Sequence, residues 1–259
     1  MVRFSKDTLR SFFRILKTSK EYINLAPATF AKHILWYMRD FLEYLKKSDS
    51  KNFSKVVFYP CLKDKLSFTP VEPIYFFQDA WAARKIFELK PPLHVDLASS
   101  VKFASLISQF TPTVFVDIRP VSLKPPGFIP LKADITSLPF KLNSVKSLSS
   151  LCVLEHIGLG RYGDKIDPYG TEKAVEEIKR VIAYDGIMLV SVPIDNENVL
   201  YFNAHRSFTR DYFISLFSDS FEILEEKYIW VGNKLWDRYD ESMRFATGLF
   251  MMKKRKRNF

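Results

Sequence analysis

Apolar residues recur at helical spacing twice near the start of the chain. Residues 5–19 place Leu9, Phe12, Phe13 and Leu16 on one side, with Lys6, Arg10, Arg14 and Lys17 elsewhere on the wheel. Residues 28–47 repeat the theme with Phe30, Ile34, Phe41 and Leu45 on one face. Both segments read as helices. The stretch 48–72 has only short apolar runs, such as 56–59, and two prolines, so it reads as a connector with a strand or two.

From residue 73 the pattern is regular. A helix is expected over 74–89, stopped by Pro91 and Pro92, then a strand over 93–97 and a helix over 101–110. Strands follow at 113–116, 128–131 and 145–154, a helix at 173–183 and a strand at 187–192 ended by Pro193. Thr209 is placed to cap a helix over 210–217, with Phe208 and Phe213 spaced as a hydrophobic staple across the cap. Two long β-rich runs, 221–231 and 243–252, have no helix between them and should pair antiparallel. Strands alternating with helices imply an α/β, doubly wound, mostly parallel sheet, to which the closing antiparallel pair is an addition.

Charge divides the chain further. The net charge is +10, of which +7 falls in residues 1–56 and +5 in the run 253–257, leaving 57–252 at −2. A slightly acidic middle is a poor nucleic-acid groove, and basic ends suit weak attraction to an anionic membrane surface. The expected layout is an N-terminal helical cap and connector over 1–70, a Rossmann-type α/β domain over 71–252 and a basic tail over 253–259. Cys61 and Cys152 stand in no metal-ligand spacing. Both read as reduced thiols of a cytoplasmic protein, with Cys152 buried and no metal expected. The N-terminus has no continuous apolar run of the secretory kind.

In a doubly wound sheet, ligands bind beyond the carboxyl ends of the strands, near the point where strand order reverses. Polar residues at strand ends are therefore the candidates: Asp96 through Ser100, Asp117, Asp134, and Glu155 with His156. Asp117 follows Asp96 by 21 residues, the place where a carboxylate would accept the two hydroxyl protons of a ribose. Asp134 serves equally as a turn cap. Asp96 reads as an orienter of its loop, and Ser99 and Ser100 as caps that also offer backbone N–H groups.

These strings resemble those of the class I S-adenosylmethionine-dependent methyltransferases: Val95-Asp96-Leu97-Ala98-Ser99-Ser100, Val116-Asp117-Ile118-Arg119-Pro120, Ala133-Asp134-Ile135 through Leu138-Pro139-Phe140, and Val153-Leu154-Glu155-His156. The longer string from Leu154 to Pro168, with Gly158, Gly160, Arg161, Tyr162, Gly163, Asp164 and Asp167, is similar to one largely uncharacterised branch. Bacterial members of that branch commonly accompany surface-polysaccharide genes. The resemblance spans roughly 71–252 and implies a seven-stranded sheet with an antiparallel last strand. It implies S-adenosylmethionine as cofactor, with Asp96, Ala98, Ser99 and Ser100 in its first loop. Asp117 would hold the ribose with Ile118 against adenine, Asp134 and Ile135 the adenine edge, and Glu155 the methionine end. The family's first loop is usually Asp-x-Gly-x-Gly, and here Ala98 and Ser100 replace both glycines.

The resemblance implies methyl transfer to a hydroxyl, by extension that of a small molecule or a cell-surface glycan. A hydroxyl must lose a proton, so His156 is the first candidate base, with His205 and then Asp167 behind it. The missing glycines keep open a catalytically inactive, methyltransferase-like binding or scaffold protein. A dehydrogenase would carry Gly-x-Gly-x-x-Gly directly after its first strand, where this chain reads Leu97-Ala98-Ser99-Ser100, and the Asp-x-Asp of a metal-dependent glycosyltransferase is missing.

Overall fold

The computed structural model describes residues 27–47, 58–119, 121–231 and 234–256. The helix expected over 5–19 lies outside the described residues, as does the end of the basic run. The chain forms two compact units, residues 1–70 and 71–259. In the first, helix α1 (Pro27–Lys47) keeps Phe30, Ile34, Phe41 and Leu45 half-buried while Leu35 and Leu42 face solvent. Phe41 packs on Phe58 with ring centroids 4.7 Å apart, and Lys65 pairs with Asp40 at 2.6 Å. Residues 58–70 form no strand. Among the described residues no helix is long and apolar enough to cross a membrane.

The second unit opens with helix α2 (Pro73–Leu89). Glu72 caps it by accepting the Tyr75 amide hydrogen, and Pro73 supplies a helix-ready φ. Strand β1 (His94–Leu97), helix α3 (Val101–Ile107), β2 (Thr113–Asp117), β3 (Phe128–Lys132) and β4 (Val145–Leu151) follow. A single 3-10 turn (Leu154–His156) then leads to α4 (Gly170–Val181) and β5 (Ile182–Ile194). A small hairpin of β6 (Val199–Tyr201) and β7 (His205–Ser207) precedes α5 (Arg210–Ser215), β8 (Phe221–Trp230), β9 (Lys234–Trp236) and β10 (Ala246–Lys254).

The main sheet has the order β3-β2-β1-β4-β5-β10-β8-β9. Strands β1 to β5 pair in parallel, and β10 runs antiparallel to β5 and β8. The seven strands expected gain an eighth, the exposed three-residue β9 at the edge. Alternate residues serve opposite faces. Met188, Val190, Val192 and Ile194 of β5 join the core under α4 and α5, whereas Leu189 joins Trp81 and Ile86 of α2 and Phe103 of α3. Thr209 caps α5 through the Tyr212 amide, and the Phe208 and Phe213 rings lie 5.8 Å apart as the staple predicts.

Two boundaries differ with consequence. Strand β4 stops at Leu151 rather than 154, because Cys152 turns the chain at a φ of 52°. Glu155 and His156 therefore sit in the turn beyond the strand, and Cys152 is half-buried. At the other end, Lys253 and Lys254 belong to β10, which corrects the separate tail expected from 253. The Lys254 ammonium is buried and donates to Asn143 Oδ1 at 2.7 Å, Lys179 O at 2.5 Å and Ile182 O at 2.8 Å. An α-helix leaves its last four carbonyls without helical partners. In α4 they are met by Ile182 N, Lys254 Nζ, Asn143 N and Ser144 N.

Candidate active site

The order of strands reverses between β1 and β4, and a cavity of about 600 Å³ opens beyond their carboxyl ends. That volume falls within the ~300–1,000 Å³ usual for small-molecule sites. The β1–α3 loop forms one wall. Asp96 is fully buried: Oδ1 accepts the Ser99 amide at 3.0 Å and Oδ2 accepts the Ser149 hydroxyl at 2.5 Å. Ser99 Oγ in turn accepts the Leu151 amide of β4 at 2.9 Å. Asp96 is thus an orienter that ties the loop to the neighbouring strand, and it does not line the cavity. Burial lifts its pKa to about 7.

Ala98 takes a φ of 54°, the left-handed region in which glycine is unstrained and alanine is not. The loop therefore makes the bend without the glycine, and Ala98, Ser99 and Ser100 all face the cavity.

Asp117, the last residue of β2, lines the cavity with Ile118. Its carboxylate is already engaged. Oδ1 accepts Arg119 N at 2.7 Å and Nε at 3.1 Å, and Oδ2 accepts Arg119 Nη2 at 3.0 Å. The Arg119 guanidinium also lies 4.6 Å from the Tyr162 ring centroid. Asp134 and Ile135, just past β3, line the same cavity. Asp134 Oδ1 accepts from both the Thr136 amide and hydroxyl, the turn-capping role weighed from the sequence.

His156 reaches the cavity, and its surroundings define its state. Nδ1 lies 2.7 Å from the Ala204 carbonyl, which can only accept, so the proton is on Nδ1 and Nε2 holds a lone pair. Burial, with Arg161 and His205 adding, lowers its pKa to about 4. The near-neutral base expected from the sequence is replaced by a weak one. Glu155 lies behind it, buried, with Oε2 unpartnered and its pKa lifted to about 8 by desolvation. It is absent from the cavity lining.

The two further base candidates do not reach the cavity. His205 sits on β7 against Tyr201, with its ring 6.5 Å from that of His156. Asp167 caps the start of α4, accepting the Tyr169 amide at 3.0 Å and pairing with Lys173 at 2.5 Å. Asp164 instead lines the cavity and organises the glycine-rich insertion by accepting the amides of Gly158, Gly160 and Tyr162. A Cβ on Gly158 would meet Asp167 O at 2.0 Å, so that position requires glycine.

Sequence reasoning missed Tyr75 and Asp79, which line the cavity from α2. They stand at i and i+4, one face of a helix, and no strand-end rule selects a helix interior. Among the described residues no group of three or more His, Cys, Asp or Glu is arranged to hold a metal ion.

Residues 140–228 match the family described as "Caenorhabditis protein of unknown function, DUF268". No curated protein sequence matches the chain. Among solved structures, the chain is similar to the N-methyltransferase NodS from Bradyrhizobium japonicum WM9, in complex with S-adenosyl-L-homocysteine. The TM-score is 0.50 at 9% identity, over 76% of this chain and 92% of that one. It is also similar to the [4+2]-cyclase SpnF, with a TM-score of 0.51 at 12% identity, over 68% of this chain and 81% of that one. The second unit has the Rossmann-like methyltransferase fold, a mostly parallel α/β sheet closed by an antiparallel strand.

Proposed function

We propose that the chain binds S-adenosylmethionine in the cavity beyond β1–β4 and transfers its methyl group to an acceptor. The observation that carries this is the backbone of Ala98. The first loop holds the left-handed bend of a glycine loop without the glycine, and the cavity beside it remains open at about 600 Å³. The residues present fit the cofactor on that ground. The structural likeness to an N-methyltransferase solved with S-adenosylhomocysteine agrees, while the likeness to a cyclase is a reminder that this fold serves more than one chemistry.

When bound, the cofactor supplies an electrophilic methyl group on a sulfonium. Asp117 would hold the ribose hydroxyls, Ile118 and Ile135 would flank the adenine, and Asp134 would accept from its amino group through Oδ2. A carboxylate offers about four acceptor sites, and Arg119 already uses three of those on Asp117. A ribose diol therefore requires Arg119 to release at least one. His156, its Nδ1 proton fixed by Ala204, keeps a lone pair on Nε2, 3.7 Å from Glu155 Oε1, and that nitrogen would be the acceptor for a hydroxyl proton. Tyr162 on the insertion lines the same cavity and adds polar contact for a polyhydroxylated acceptor such as a sugar.

The test is calorimetric titration of the full chain with S-adenosylhomocysteine. Binding is expected, and Asp117→Ala should weaken it by roughly 1.5–3 kcal/mol, the worth of hydrogen bonds to a charged group. A folded Asp117→Ala protein with unchanged affinity would reject the ribose assignment. The occupied Asp117 and the missing loop glycines favour a second reading, a binding module without catalysis. Failure of the wild-type chain to bind the nucleoside selects it.

A further inference from the structure

The acidic groups around the cavity differ in what they already hold. Asp117 is spanned by Arg119, Asp164 by three loop amides, and Asp134 by Thr136. Asp79 has one hydrogen bond, from the Gln78 amide at 3.2 Å, and no cationic partner among the described residues. It is half-buried on α2, and Tyr75 one turn earlier and Tyr162 across the cavity share its lining. Desolvation, with Glu72 adding, lifts its pKa to about 6, so at neutral pH it stays mostly ionised at a cost that a bound cation would offset. A divalent metal needs more ligands than one carboxylate supplies, and the described residues offer no such cluster. A carboxylate beside aromatic rings suits an organic cation.

We propose that Asp79 is the ion-pair partner of an ammonium group carried by the ligand of this cavity. The proposal rests on the reading that the cavity takes an S-adenosyl ligand. Two sources present that chemistry. One is the α-ammonium at the aminoacyl end of the cofactor and its product, and the other is an amine acceptor. The neighbouring Gln78 accepts from Cys152 Sγ after β4 at 3.2 Å and from Ser191 Oγ of β5 at 2.7 Å, so Asp79 belongs to the β4 side of the cavity. Asp117 and Asp134 mark the β2–β3 end, where the nucleoside is placed. An ammonium at Asp79 is therefore remote from the adenosine and near the reacting end.

The experiment titrates wild-type and Asp79→Asn full-length protein with S-adenosylhomocysteine and with 5′-methylthioadenosine, the same nucleoside thioether without the aminoacyl end. A third titration adds 2-phenylethylammonium chloride to protein saturated with S-adenosylhomocysteine. If the cofactor is the source, Asp79→Asn loses about tenfold or more in S-adenosylhomocysteine affinity, the range for a charge-assisted bond. Its affinity for 5′-methylthioadenosine stays unchanged, which also shows that the variant is folded. If the acceptor is the source, both nucleosides bind the two proteins alike, and 2-phenylethylammonium binds wild type but not Asp79→Asn. Equal S-adenosylhomocysteine affinity together with no Asp79-dependent binding of the amine overturns the proposal. Equal loss of both nucleosides in Asp79→Asn also overturns it, because the side chain would then be structural. A wild-type protein that binds neither nucleoside overturns the underlying reading instead.

Discussion

Lys254→Met is expected to destabilise the folded protein by about 2–4 kcal/mol, the sum of losing charge-assisted hydrogen bonds and leaving buried acceptors unpaired. Methionine keeps the length and the apolar stem, so the loss isolates the ammonium. That ammonium is the common donor to Asn143 Oδ1, Lys179 O and Ile182 O, and it lies 5.2 Å from the Tyr184 ring centroid. Without it, the last turn of α4 and the first residue of β5 lose a shared donor. Urea denaturation of both proteins measures the difference. A change below about 0.5 kcal/mol, the level of an ordinary surface substitution, would refute the anchoring role. A truncation makes the companion test. Deleting residues 253–259 should unfold the end of β10, whereas deleting 256–259 should cost little, because it leaves Lys254 and the Arg255 N to Ser220 O bond in place.

Raising the pH from about 6.5 to 8.5 should lower stability, and Glu155→Gln should remove about two-thirds of that fall, because its higher pKa keeps its proton over more of that range. Burial lifts the Asp96 pKa to about 7 and that of Glu155 to about 8. Ordinary carboxyl groups titrate near ~4. The folded state therefore keeps protons that the unfolded state releases. The stability linked to these groups is fully present below the unfolded pKa and is lost as pH rises through the folded values. His94 and His156 act in the opposite sense, since burial lowers their pKa values to about 3 and about 4. Their contribution is present above the unfolded value of ~6.5 and is lost as pH falls. Between about 4 and 6.5 the two effects oppose one another, and above about 6.5 the acids act alone. Each group then contributes up to about 1.4 kcal/mol per pH unit. Glutamine reproduces the neutral acid in shape and cannot ionise. Parallel urea midpoints for wild type and Glu155→Gln across this range would show that Glu155 is not the group responsible.

The legible parts of this chain are those set by neighbours in sequence. Leu97, Val116 and Leu148 are fully or nearly buried as runs of apolar residues require in a parallel sheet. Thr209, Phe208 and Phe213 form their cap and staple within a few residues. The strand-end rule selected the polar Ser99, Ser100, Asp117, Asp134 and His156 and the family resemblance added Ala98, Ile118 and Ile135, and all line one cavity because the end of every parallel strand opens on the same side. Where a carboxyl end was misjudged, the cause was one residue. Cys152 at positive φ halts β4 and turns Glu155 away from the cavity and His156 toward it.

The sequence by itself determined the alternation of strands and helices, the reversal that closes the sheet with an antiparallel strand, and the set of polar residues at strand ends. Those follow from periodicity and from steric rules that act over a few residues. Only the tertiary structure decided what each polar group does, because its partners lie far along the chain. Ser149 reaches Asp96 from 53 residues away, Ala204 fixes the His156 proton from 48, and Lys254 caps α4 at Lys179 from 75. The same holds for Asp79, which a pattern reading leaves as one acid in a helix. The role proposed for it depends on α2 packing across the sheet, which sets that carboxylate, half-buried and without a cationic partner among the described residues, at the cavity. Protonation and free acceptor capacity depend on burial and on distant donors, and a linear pattern of residues contains neither.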